Sequence, residues 1–132
     1  MNERVAVMLS EAGAATPVAE ELARHDFRVE CYTRLEELFT NNAAAEIPVL
    51  IFHVRRRPRG RVLEVIGRMA IEHPHVPMAM VSEEPVSLEI AEFLAGRGVS
   101  VVRAEPEDGE AVGLSGLVSR MHERRQRSLA SS

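Results

Sequence analysis

The chain has 132 residues, the size of one domain, with 45% hydrophobic and 27% charged residues, a balance that excludes a disordered polymer. Its formal net charge of −4 gives no global attraction to nucleic acid, and no apolar run approaches the roughly 18 residues of a membrane span. One cysteine, Cys31, cannot form an internal disulfide, and the charged start lacks a secretory apolar region, so a cytoplasmic protein is expected.

Five apolar runs alternate with amphipathic segments. Val5 to Leu9 is nearly unbroken, as in a strand buried on both faces. Thr16-Pro17 opens a helix whose buried face carries Val18 and Leu22. Phe27 to Tyr32 alternates apolar with polar, the pattern of an edge strand with one wet face, and Cys31 there reads as a small core residue. Thr33 and Glu36 have capping-box spacing ahead of a helix striped by Leu35, Leu38 and Phe39 and ended by Asn41-Asn42.

Val49 to Phe52 is the most hydrophobic stretch and suits the central strand. Val62, Val65, Ile66 and Met69 recur at helical spacing until Pro74. Met78 to Val81 forms the fourth strand. Glu83-Glu84 then precede a helix marked by Val86, Ile90, Phe93 and Leu94, where they would complement its dipole. Val99 to Val102 is the fifth strand, and Leu114, Leu117, Val118 and Met121 define a last helix. Residues 1–123 read as one domain; residues 124–132 read as a polar tail, frayed or the start of a linker.

Strict strand–helix alternation implies an α/β fold: a three-layer, doubly wound, five-stranded parallel sheet. A polar-faced second strand favours the order 2-1-3-4-5, whose crevice lies at the carboxyl ends of the strands. Ser10 and Glu11 follow the first strand, His53 ends the third, Ser82 the fourth, and Glu105 follows the fifth.

This arrangement resembles the receiver domain of response regulators in two-component signalling, over roughly residues 4–123. The resemblance implies an acidic pair at Ser10 and Glu11, a phosphoacceptor aspartate at His53, a hydroxyl at Ser82, and a lysine at Glu105 followed by Pro106. It also allows a cis peptide bond before Pro106 and puts Val102 at the family's aromatic switch position.

The departures are chemical. Mg²⁺ takes hard oxygen ligands, and of three carboxylates only Glu11 remains. An imidazole cannot form an acyl phosphate, and Glu105 reverses the charge of the clamp on the phosphoryl oxygens. No catalysis, metal or cofactor is therefore expected. The expected function is a non-phosphorylatable regulatory module that binds a protein partner, or a second copy, through the fourth helix, fifth strand and fifth helix. Val86, Leu88, Glu89, Glu92, Arg97 and Val102 represent that face, and an output domain could follow.

Two alternatives stay open. Arg55, Arg56, Arg57, Arg59 and Arg61 crowd the loop beyond His53, where they could hold an anion or nucleotide, or stand as a solvated loop. His53 could itself carry phosphate, or merely cap its strand beside Glu11 or Glu105. No aromatic residue stands among the arginines to stack bases, so nucleic acid is not an expected partner of this domain alone. The remaining histidines lack ligand spacing for zinc.

Overall fold

Each apolar run is long enough for one pass of a sheet, and each amphipathic segment returns the chain to the same edge, as parallel pairing demands. The computed structural model describes residues 3–9, 16–42, 47, 49–54, 60–103 and 114–131. Its elements are β1 (Arg4–Leu9), α1 (Thr16–Arg24), β2 (Arg28–Tyr32), α2 (Leu35–Asn41), β3 (Val49–Val54), α3 (Gly60–Glu72), β4 (Met78–Ser82), α4 (Leu88–Ala95), β5 (Val99–Arg103) and α5 (Leu114–Ser131). All strand pairs are parallel in the order β2-β1-β3-β4-β5, as the sequence predicts.

Alternation along the strands feeds two separate cores. Val5, Val7, Val49, Ile51 and Val81 pack against Val18 and Leu22 of α1 and Leu114, Val118 and Met121 of α5. Ala6, Leu50, Phe52 and Met80 pack against Leu38 of α2, Ile66 and Met69 of α3, and Leu94 of α4. Each large aliphatic side chain so buried contributes about 1.5–3 kcal/mol. β3 feeds both cores, and all six of its residues are buried.

Among the described residues, two turns use left-handed backbone. Asp26 (φ 67°) ends α1, with Asp26 N–H donating to Ala23 O and Phe27 N–H to Leu22 O, both at 3.1 Å. Gly98 (φ 78°) follows α4, where its N–H donates to Ala95 O at 3.0 Å.

The edge strand β2 is pinned by a polar network on the face expected to be wet. Arg4 grips Glu30 bidentately (2.8 and 3.0 Å) and donates to Asn42 Oδ1 at 2.5 Å. Asn42, buried at the end of α2, donates to Leu38 O at 3.1 Å and to Tyr32 Oη at 3.3 Å, while Tyr32 donates to Glu30 at 2.9 Å. The Arg4 guanidinium and the Tyr32 hydroxyl hold the Glu30 carboxyl below its usual range, against a desolvation that raises it.

Three local expectations are corrected. Thr33 and Glu36 form no capping box: Arg34 holds the N-cap position without a side-chain cap, and Glu36 instead pairs with Arg34 at 3.2 Å on the surface. Glu83-Glu84 do not cap α4, which starts only at Leu88; Ser87 Oγ accepts from Ile90 N–H at 3.3 Å. Cys31 is exposed, because the cover that half-buries Val29 does not extend to the end of β2. α5 itself runs unbroken from Leu114 to Ser131, through residues rich in the helix formers Arg, Gln and Leu.

Candidate functional site

In this fold the carboxyl ends of the strands make the crevice, and the central strand brings His53 to it. His53 pairs in register with Leu9 of β1 and Val81 of β4, which fixes its backbone from both sides. Its side chain is only 2% exposed, so the imidazole is part of the floor rather than a projecting group.

The nearest carboxylate among the described residues is Glu83, with Oε2 at 3.7 Å from His53 Nε2. The separation exceeds a hydrogen bond and makes an ion pair whenever the imidazole is protonated. Glu83 is brought there by the sheet: its N–H donates to Val54 O at 3.2 Å, extending the β3–β4 ladder by one step. Position was the available signal. The first residue beyond a strand adjacent to β3 must face the crevice rim, whatever the helix that follows.

Ser82 is fully buried, and its hydroxyl donates to Glu84 O at 2.6 Å. Its proton is committed to that turn, leaving the oxygen to accept but not to donate toward a ligand. Val102 lies beside Val81 in register and packs, partly buried, on the α1–α5 core. It has neither the size nor the polar handle of an aromatic ring.

Arg61 is exposed at the start of α3 and borders a cavity of about 250 Å³ with His53, Thr33, Phe52 and Val65. The walls are chiefly aliphatic and aromatic, so this hollow could take an apolar body with one anionic end. Ser10, Glu11, Arg55, Arg56, Arg57, Arg59, Glu105 and Pro106 lie outside the described residues. The structure thus brings His53 to Arg61 in one hollow and to Glu83, a carboxylate expected instead at the start of α4, while Ser82 pairs with Val54 in the ladder and turns its hydroxyl to Glu84. Among the described residues no group of three His, Cys, Asp or Glu side chains could hold a metal ion, and no helix is long and apolar enough to cross a membrane.

No family model matches the chain, and no curated protein matches it in sequence. Solved structures do match in fold. A response regulator from Thermotoga maritima superposes with a TM-score of 0.72 at 18% identity, covering 93% of this chain and 99% of that one. A response regulator receiver domain protein from Clostridium thermocellum gives 0.73 at 17% identity, covering 95% and 98%. An atypical orphan response regulator, described as revealing a phosphorylation-independent regulatory mechanism, gives 0.60 at 16% identity, covering 94% and 95%. Element order, sheet order and these superpositions agree: the chain has the flavodoxin-like fold of response-regulator receiver domains.

Proposed function

We propose that this domain is a pseudo-receiver, a regulatory interaction module of bacterial-type signal transduction that works without aspartyl phosphorylation. The observation that carries the proposal is a buried imidazole at the end of the central strand, where a receiver of ordinary chemistry would present a carboxylate. The engagement of Ser82 with Glu84 O supports it, because that hydroxyl is not poised to meet a phosphoryl oxygen. The atypical regulator of the same fold supports the idea that this scaffold can regulate without phosphate.

The partner, a protein or a second copy, would dock on the face made by α4, β5 and α5. Leu88 is 74% exposed there, beside exposed Glu89, Glu92 and Arg97 and half-buried Val86 and Val102, a mixed apolar and charged surface suited to a protein rim. This reading makes the domain a binding module rather than an enzyme, with no resident metal or cofactor.

The test is incubation with acetyl phosphate and Mg²⁺ followed by intact mass. No adduct of about 80 Da should form, and His53→Asp alone should not create one, because Ser10 and Glu105 still stand at the acidic-pair and lysine positions. A base-labile adduct on the unaltered protein refutes the proposal. An acid-labile adduct lost in His53→Gln would instead make His53 a phosphocarrier. A second reading is favoured by the hollow beside His53: Arg61 could anchor a small anion with an apolar body, and thermal shift against such carboxylates, lost in Arg61→Gln, would support it.

A further inference from the structure

The opposite end of the sheet holds a second concavity. It lies at the amino ends of β4 and β5, is about 300 Å³ in volume, and has Met78 and Val99, the first residues of those strands, in its walls. Three arginines and a histidine border it: Arg97 from the turn after α4, Arg124 and Arg125 from α5, and His75 from the turn before β4. None of the described residues lining it is acidic. In a chain whose net charge is −4, such a one-signed concentration at one recess is the reverse of the global balance.

We propose that this recess binds the phosphate groups of a small phosphorylated molecule, a diphosphate in preference to a single phosphate or carboxylate. Guanidinium forks match phosphate oxygens bidentately, and a diphosphate offers enough oxygens for several forks, where one carboxylate saturates one. Arg97 is already held in place: its guanidinium lies 3.8 Å above the Phe93 ring and donates one N–H to Phe93 O at 3.2 Å. The same side chain lies close to Gly67 and borders the neighbouring α3–α4 groove with Glu64 and Glu72, so Arg97 closes the rim of the recess while Arg124 and Arg125 carry its affinity for an anion.

Arg125 is half-buried, and burial together with the neighbouring Arg4 guanidinium lowers its pKa. An anion in the recess relieves the strain that this crowding places on the cation. The recess lies far from the His53 crevice, at the other end of the strands, and of the residues named for the docking face it shares only Arg97. A nucleic-acid backbone or a membrane surface would need a broad positive face, which a small recess in an acidic chain does not offer.

Calorimetric titration of the whole chain with sodium pyrophosphate, against chloride at matched ionic strength, is the direct test. Pyrophosphate should bind and raise the melting temperature by at least about 3 °C near saturation, more than inorganic phosphate does. Arg124→Gln with Arg125→Gln should weaken binding at least tenfold, while Arg103→Gln, outside the recess, should not. Should the double variant fail to fold, Arg124→Gln alone, at an exposed position, must still weaken it. Absence of binding at about 10 mM, far weaker than any useful site, overturns the proposal. So does undiminished binding by the variants, or binding to phosphatidic acid vesicles or duplex DNA without binding to free pyrophosphate.

Discussion

Replacing Asn42 by alanine tests whether the polar network, rather than the ladder alone, secures the edge strand. The side chain gives Arg4 a charge-assisted acceptor at 2.5 Å and donates to Leu38 O and Tyr32 Oη at 3.1 and 3.3 Å. A hydrogen bond to a charged group contributes about 1.5–3 kcal/mol and a neutral one about 0.5–1.5. Two losses are softened, since Leu38 O keeps its bond from Asn42 N–H and Arg4 keeps Glu30. The net cost should therefore be about 2–4 kcal/mol, a fall in melting temperature of roughly 10 °C for a domain of this size. Urea unfolding read by circular dichroism measures it, and a cycle with Arg4→Met should return a coupling of about 1–2 kcal/mol. A loss below about 0.5 kcal/mol, or no coupling, would show that the network is ornamental and the reasoning wrong.

Glu30 gives a pH signature. Its folded pKa lies below the ordinary 4.5, so its contribution is present above that value and lost as pH falls through the folded pKa; Glu30→Gln should flatten stability there. His122 is buried against Phe27, and burial lowers its pKa from 6.5 despite Glu3 at 3.8 Å, with Arg125 lowering it further. The unfolded chain then binds the extra proton first, so stability should fall as pH drops below about 6.5, and less so in His122→Gln. At the left-handed positions, Gly98→Ala meets no atom of the described residues within 4 Å and should cost only the backbone penalty of about 1–2 kcal/mol, whereas Asp26→Gly should stabilise by a few tenths to about 1 kcal/mol in the same denaturation assay.

The strand order was legible because hydrophobic runs and breakers are local, and the polar alternation of Phe27–Tyr32 marks an edge. Cys31 was misread for the same reason. Alternation shows which residues share a face but not how far a helix covers it, and the cover of β2 ends before Cys31. His53 was found by its place after the most apolar run, but its partner was not: Glu83 looked like a helix cap, and only the added β3–β4 rung turns it to the crevice. The basic recess left no sequence signal at all. Arg97 and Arg124 stand in different elements, and neither belongs to the arginine run that dominates the chain by eye.

Because every residue of β3 is buried and the strand is paired on both sides, its amide protons should exchange with solvent only when the whole domain opens. The slowest of them are thus an internal gauge of total stability. A molecule held at either end of the strands must slow their exchange by the full factor of its binding, however distant its seat, while amides near the rim answer only to what covers them. One deuterium-exchange series would then weigh an occupant and show which end it chose.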